Sequence, residues 1–188
     1  MSTASPDPTP PSILSLSEYF SLVPPAGWEE SISFANLPLR LLAYGKILFQ
    51  PPDQHDVFLK WQIANWLEGQ AEWEIFEDVL HQRSKPPAEE LNLLYSILLR
   101  IRIEFVADYS VVDHPGLGRS LIIDYNYTDW SYKGRVLYTP SPTGVNDVQI
   151  LSYEGAEPQF STYLIDALQC FESCRQLRPP LLTPGLLE

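Results

Sequence analysis

The chain has 188 residues, a length that fits one domain and suffices to bury most of its apolar surface in a single core. It is 45% hydrophobic and 19% charged, which is typical of a folded protein. The formal net charge of -12 argues against binding nucleic acid or an anionic membrane, because both need clustered Lys and Arg and the 12 basic residues here are dispersed. The same charge favours a protein partner with a basic surface.

The sequence also allows a prediction of the cellular compartment. No segment holds about 18 consecutive apolar residues, and the N-terminus lacks the basic and apolar regions of a signal peptide. The two cysteines are too few for a disulfide framework, in agreement with a reducing compartment. We therefore predict a cytoplasmic protein, and the sequence leaves its oligomeric state open.

Prolines mark the boundaries between the predicted elements, because proline lacks the backbone N–H and biases the preceding residue away from the helical region. Residues 1–12 are rich in Pro, Ser and Thr and are expected to form a disordered tail. Residues 13–178 are expected to form a single α+β domain. Residues 179–188 are expected to be a C-terminal tail.

The pattern before residue 85 predicts mostly helices. The first is capped by Ser15 or Ser17 and carries Leu16, Tyr19, Phe20 and Val23. The second is capped by Asn36 and carries Leu39, Leu42, Ala43 and Leu48. The clearest helical region is Asp53–Gln82, divided by Gly69, where apolar residues recur at i, i+3, i+4 spacing: Val57, Phe58, Trp61 and Ala64, then Trp73, Phe76, Val79 and Leu80.

The segment from Pro87 to Tyr109 allows two interpretations. Its first half suits a helix, with Glu89 and Glu90 in the first turn. Arg100–Val106 alternates polar and apolar residues, as a strand would. Because neither Gly nor Pro marks a switch, a continuous helix is slightly favoured, and a strand stays the open alternative.

The organising feature of the chain is the stretch Gly118–Tyr153. Leu121, Ile123 and Tyr125 alternate with polar or smaller residues and predict a half-buried strand. Further strands are expected at Val136–Tyr138 and Val148–Tyr153, which gives an antiparallel meander. A helix from Pro158 to Pro179 closes the fold. The predicted class is α+β, with a mainly helical N-terminal half packed on a small antiparallel meander of three to four strands.

Three chemistry-bearing patterns are weak. Asp124, Asn126 and Thr128 resemble the start of a calcium loop, but Asp129 stands where the turn needs Gly and Arg135 where a bidentate Glu is needed. Cys170 and Cys174 lie one helical turn apart, yet two ligands do not make a metal site, and core packing explains them better. Gly116–Ser120 is glycine-rich but opens a strand and is interpreted as a turn. No metal and no cofactor is predicted.

The leading functional hypothesis is a non-enzymatic protein-binding module of the inhibitor, immunity, adaptor or assembly-factor kind. Acidic residues cluster in the region of residues 68–78, either as a solvated helix face or as a docking surface for a basic partner. Aromatic residues in the turn after Tyr127 are of the types enriched at binding hot spots. The proposed partner-binding residues are Trp130, Tyr132, Asp129, Glu72, Glu74 and Asp78. The alternative is a small hydrolase or transferase-like enzyme with a site near Asp113, His114 and Asp124.

Overall fold

The computed structural model describes residues 14–15, 19–32, 46–65, 71–81, 105–126, 132–142 and 147–177. These residues form ten strands and two helices. In chain order they are β1 (Leu14–Ser15), β2 (Phe20–Leu22), β3 (Glu29–Ile32), β4 (Lys46–Gln50), β5 (Val57–Asn65), α1 (Ala71–Leu80), β6 (Phe105–His114), β7 (Gly118–Asn126), β8 (Tyr132–Pro140), β9 (Asp147–Ala156), α2 (Gln159–Ser173) and β10 (Arg175–Gln176).

The centre of the molecule is a seven-stranded antiparallel sheet with the order β3-β4-β5-β9-β8-β7-β6. It consists of two meanders, β3-β4-β5 and β6-β7-β8-β9, which join where β5 pairs with β9. Their pairing runs without a register shift from Val57 opposite Gly155 to Asn65 opposite Asp147. A small second sheet, with the order β1-β2-β10, pairs the C-terminal strand β10 with the N-terminal strand β2.

Alternating side chains divide the large sheet into two buried faces, because successive residues of a strand point to opposite sides. On the α2 face, α2 and β2 cover one apolar cluster, whose fully or nearly buried members include Phe20, Leu59, Trp61, Leu137, Leu151, Tyr153, Phe160 and Phe171. On the α1 face, α1 covers a second cluster, whose members include Phe76, Val79, Leu80, Leu121, Ile123, Tyr125, Val136, Tyr138, Val148 and Ile150.

The prediction of a mainly helical N-terminal half is wrong. Phe20 lies in strand β2, Leu48 in strand β4, and Asp53–Gln82 begins with the nine-residue strand β5. Within β5 the buried residues alternate with period two: Val57, Leu59, Trp61 and Ile63. This run is rich in β-branched and aromatic residues, which favour a pleated surface over a helix. Gly69 and the stretches 33–45 and 82–104 lie outside the described residues.

In the second half of the chain the order of the elements agrees with the prediction, but the size of the sheet and the end of the helix do not. The strands expected within Gly118–Tyr153 exist as β7-β8-β9, but they belong to a seven-stranded sheet and not to a small meander of three to four strands. Helix α2 follows them but ends at Ser173, and Arg175–Gln176, predicted as helix, is strand β10. The helix predicted over Trp73–Leu80 also exists as α1. The preference for helix over Arg100–Val106 is wrong at Phe105 and Val106, which open strand β6. The rest of that stretch lies outside the described residues.

Candidate functional site

An open cleft of about 580 Å³ lies at one end of the large sheet. Four parts of the chain meet there: the β6–β7 hairpin turn, the C-terminal end of α1, the end of β8 and the strand β10. The lining residues are Leu80, His81, Pro115, Gly116, Leu117, Gly118, Arg119, Pro140, Gln176 and Leu177. Concave, mostly apolar cavities with a few polar groups are the usual form of a binding site.

The hairpin turn that forms one wall of the cleft depends on two glycines. A side chain at Gly116 would place its Cβ on the backbone oxygen of Cys174, so only glycine allows this close approach. Gly118 has φ +77°, a conformation that L side chains rarely adopt. The backbone N–H of Gln176 donates to the Gly116 oxygen at 2.8 Å. The turn is therefore fastened directly to β10.

His114 fastens the same turn to α2. Its side chain is only 9% exposed, and its Nε2 lies 2.9 Å from the backbone oxygen of Phe171. The backbone N–H of Gly116 donates to its Nδ1 at 3.1 Å. Burial is the main cause that lowers the pKa of His114, and the nearby charge of Arg175 adds to the effect, while the bond to Phe171 and the charge of Glu172 oppose it. The ring is thus held in its neutral form.

Arg119 supplies a cation at the opposite wall. Its Nε donates to the backbone oxygen of Leu80 at 2.5 Å, which satisfies one carbonyl at the C-terminal end of α1. That helix has no basic residue in its own last turn, so Arg119 also compensates its dipole from β7. Asp113 pairs with Arg119 in register, but within the described ranges no carboxylate reaches ion-pairing distance of the guanidinium. Its side chain is exposed and lines the cleft.

Gln176 in β10 and the next residue, Leu177, complete the lining. The side-chain oxygen of Gln176 is buried and has no hydrogen-bond partner among the described residues. Leu177 is 52% exposed, and its backbone N–H donates to the oxygen of Tyr19 at 2.6 Å. The cleft therefore offers donors at Arg119, an acceptor at Gln176 and an apolar surface at Leu177.

The predicted partner-binding residues are only partly within the described ranges. Glu74 is exposed on α1, and Asp78 on the same helix is half-buried and makes further interactions. Glu72 belongs to α1, but its side chain is not described. Tyr132 opens β8 and is half-buried. The remaining two, Asp129 and Trp130, lie outside the described residues.

The residues of the enzymatic alternative do not meet. His114 pairs with Gly118 at one end of β7, whereas Asp124 lies six residues further along that strand, roughly 20 Å away. Asp124 binds Arg135 through two hydrogen bonds of 2.6 and 2.7 Å. Asp113 is exposed and next to His114 on β6. The three side chains therefore do not line one pocket.

The structure also shows where the residues of the calcium-like run and the two cysteines lie. The calcium-like run begins inside strand β7, where Asp124 is already paired with Arg135. Cys170 and Cys174 are free, buried thiols, and the Cys174 sulfur lies 3.5 Å from the Cys170 oxygen. Burial raises the pKa of Cys174 to about 12 and that of Cys170 further, which keeps both thiols neutral. Among the side chains that the structure describes, no three His, Cys, Asp or Glu converge to hold a metal ion.

Sequence reasoning missed the cleft. Its lining comes from four stretches, around residues 80, 117, 140 and 176, and no short spacing links Arg119 to Gln176. The one available signal is the glycine-rich run Gly116–Ser120, predicted as a turn. Residues 115–117 do form the turn, whereas Gly118, Arg119 and Ser120 already belong to strand β7. A turn that needs two glycines for close approach and a positive φ is a common place for a ligand-binding wall.

In the described ranges, fold and cleft together define an antiparallel α+β protein with α1 on one face of the large sheet, α2 on the other, and an open cavity at one end. No protein-family model matches the sequence, and no curated protein matches it. Among solved structures it is similar to the solution structure of cyanobacterial PsbP (CyanoP) from Synechocystis sp. PCC 6803, with a TM-score of 0.53 and 10% identity over 93% of this chain and 98% of that chain. This likeness is one of fold alone.

Two further solved structures are more distant. LpqN, involved in cell envelope biogenesis of Mycobacterium tuberculosis, has a TM-score of 0.48 and 14% identity over 90% of this chain and 86% of that one. A crystal structure from Bacteroides thetaiotaomicron VPI-5482 has a TM-score of 0.45 and 17% identity over 88% of this chain and 47% of that one. None of the helices in the described ranges has the length and apolarity required to cross a membrane.

Proposed function

We propose that this chain is a non-enzymatic protein-binding module that receives a segment of its partner in the cleft between the β6–β7 turn, α1 and β10. The observation that carries the proposal is the composition of the cleft lining. It combines an exposed apolar side chain at Leu177, a guanidinium at Arg119 that no described carboxylate neutralises, and at Gln176 a buried acceptor without a partner among the described residues. Buried unpaired polar groups cost stability, so a ligand that satisfies Gln176 gains binding energy.

Binding is favoured over catalysis by the state of the reactive residues. Both ring nitrogens of His114 are engaged by backbone groups, so the ring has no free nitrogen with which to take a proton from a substrate. The thiols of Cys170 and Cys174 are buried and kept neutral, and a neutral thiol is a poor nucleophile. These groups hold the wall of the cleft in place instead.

The proposed partner has a basic surface, because the chain carries a net charge of -12 and Glu74 lies exposed on the helix that ends at the cleft. Charge of this sign raises the rate of encounter with a basic protein, while the cleft supplies the short-range contacts. A cytoplasmic location is part of the proposal, and the two free thiols fit a reducing compartment.

The test compares two exposed apolar residues, one inside the cleft and one outside it. Leu177 lines the cleft and is 52% exposed, whereas Ile165 lies on the outer side of α2 and is 68% exposed. Each is replaced by Asp in the full chain, and partners are captured from a lysate of the source organism and quantified by mass spectrometry. Leu177→Asp is expected to lower recovery of the partner at least tenfold, and Ile165→Asp to leave it unchanged.

Both substitutions add one negative charge to an exposed position. A difference in partner recovery between the two variants is therefore due to the position of the substitution and not to the added charge. Circular dichroism and the urea midpoint of both variants confirm that the fold is retained. Equal recovery with Leu177→Asp and wild type contradicts the cleft as the binding site. Loss with Ile165→Asp alone would place the interface on α2.

A further inference from the structure

We propose that protonation of His114 detaches the β6–β7 turn from α2 and β10, so that the cleft is a pH-responsive site. The proposal rests on the proposed function for its biological meaning, since it describes how the binding cleft is regulated. The change in the turn itself is measurable without any partner.

The hydrogen bonds define which ring nitrogen carries the proton. The backbone N–H of Gly116 can only donate, so Nδ1 of His114 must accept and therefore has no proton. The single proton of the neutral ring is then on Nε2, which donates to the Phe171 oxygen at 2.9 Å. One neutral tautomer satisfies both contacts.

Adding a proton to this ring breaks the arrangement. The imidazolium carries a hydrogen on Nδ1, and this N–H would point at the N–H of Gly116 across a contact of 3.1 Å. Two donors facing each other cannot both be satisfied while the turn stays closed. Because Gly116 also holds β10 through its oxygen, its displacement loosens the contact to Gln176. The turn residues 115–118 and Gln176 supply half of the cleft lining, so the cleft changes shape.

The charges around the ring set the pH at which this happens. Glu172 on α2 favours the protonated ring, and Arg175 in β10 disfavours it. On the hairpin itself Asp113 precedes His114, and Arg119 follows Gly118, which pairs with His114. The thiols of Cys170 and Cys174 on the α2 side stay neutral because burial raises their pKa. The balance of burial and these charges is a lowered pKa for His114.

The direction of the pH effect follows from that lowered pKa. When the turn opens, the ring gains solvent and its pKa returns toward the ordinary value of 6.5, so the open state binds more protons than the closed state. The closed turn is therefore fully stable above pH 6.5 and loses stability as the pH falls below it. The opening equilibrium constant rises by up to tenfold for each pH unit below 6.5 and levels off at the pKa of the closed state.

The experiment is an amide hydrogen-exchange titration by NMR on the full chain, between pH 7.5 and pH 5. The ring nitrogens of His114 are followed in the same samples, because their shifts report both the tautomer and the protonation state. Protection factors of the Gly116 and Gln176 amides are expected to fall by up to tenfold per pH unit below 6.5. The amide of Leu151, in the central strand β9, should keep its protection and thereby excludes global unfolding.

Three variants separate His114 from the other histidines. In His114→Asn the side-chain oxygen lies close to the former Nδ1 position and still accepts from Gly116, but it does not titrate, so the pH dependence is expected to disappear. His55→Asn, at an exposed position outside the cleft lining, should leave it unchanged, and His81→Asn, at an exposed lining position, measures any contribution of that second imidazole separately. The proposal is overturned if the wild-type protection of Gly116 and Gln176 is constant while His114 titrates, or if His114→Asn keeps the pH dependence.

This result does not depend on the identity or existence of a partner. If Leu177→Asp fails to alter partner capture, the proposed function fails while the exchange titration stays interpretable. If the titration is flat but capture depends on Leu177, the cleft binds its partner without regulation by His114. The two failures are therefore distinguishable.

Discussion

Both faces of the seven-stranded sheet bury polar groups, and the two differ most clearly in one tyrosine each. On the α2 face, the Tyr153 hydroxyl donates to the Phe160 oxygen at 2.7 Å, and the Ser173 hydroxyl donates to the Cys170 oxygen at 2.7 Å, whereas Nε1 of Trp61 and the side-chain oxygen of Gln149 are buried there without a partner among the described residues. On the α1 face, Glu154 is 3% exposed and lies 3.6 Å from Lys60, longer than a hydrogen bond. The hydroxyl of Tyr138 is buried there without a partner among the described residues.

The pairing of each group decides what its removal does to stability. A buried polar group that is paired adds to stability, whereas an unpaired one costs about 1–3 kcal/mol. On the α2 face, the Tyr153 hydroxyl and the His114 ring, which holds one wall of the cleft, are paired. On the α1 face, Lys60 and Glu154 are largely buried charges, and apolar side chains of similar volume could replace them without loss of stability. Substitutions of paired and unpaired groups are therefore expected to differ in sign as well as in size.

The largest effect is expected at the buried ion pair of the α1 face. Lys60→Met removes the cation and leaves the carboxylate of Glu154 buried without a counter-charge, which should lower the free energy of unfolding by about 3–5 kcal/mol. The double variant Lys60→Met/Glu154→Leu removes both charges and should recover wild-type stability or exceed it. Urea denaturation measures both. A double variant as unstable as the single one would show that the pair stabilises this face.

Two buried tyrosines, one on each face, are expected to give smaller changes in stability, of opposite sign. Burial raises the pKa of both, so each hydroxyl is neutral and able to donate. Tyr153→Phe leaves the Phe160 oxygen without its donor and should cost about 1 kcal/mol. Tyr138→Phe removes a hydroxyl without a partner in the described part of the chain and should be neutral or stabilising by up to about 1 kcal/mol. Equal losses of stability in both variants would mean that the two hydroxyls do not differ in their contribution to folding.

The meander of the second half was predictable because only one periodicity fits it. Leu121, Ile123 and Tyr125 alternate with Ile122 and Asp124, and no helical spacing accounts for them. Strand β5 was not predicted because its sequence fits both the periodicity of a strand and that of a helix. Its buried face is Val57, Leu59, Trp61 and Ile63, but the half-buried Phe58 lies between two of them, and in the sequence Val57, Phe58, Trp61 and Ala64 also give i, i+3 and i+4 matches. A strand with apolar residues at neighbouring positions loses the strict alternation that identifies it.

The cleft was beyond prediction for a different reason. Each wall is a common local structure, such as the Gly116–Gly118 turn or the C-terminal end of α1, and none of them carries a ligand signature. Arg119 and Gln176 come together only because β10 pairs with β2 and returns to the hairpin. Long-range pairing of this kind depends on the complete topology, which the incorrect helical assignment of the N-terminal half had excluded.

The smallest expected effect concerns the outer surfaces of the two helices. Glu74 on α1 and Asp166 on α2 are both exposed, and replacing either by Lys changes the net charge by the same amount. If a basic partner approaches the end of the molecule where α1 meets the cleft, Glu74→Lys should slow association on the order of two- to fivefold at low salt, and Asp166→Lys less. Stopped-flow or surface-based kinetics at about 20 and 150 mM salt measure this, and the difference should shrink at the higher concentration because salt screens exposed charges. Rates that respond equally to both substitutions would assign steering to the net charge of -12 and not to the α1 surface.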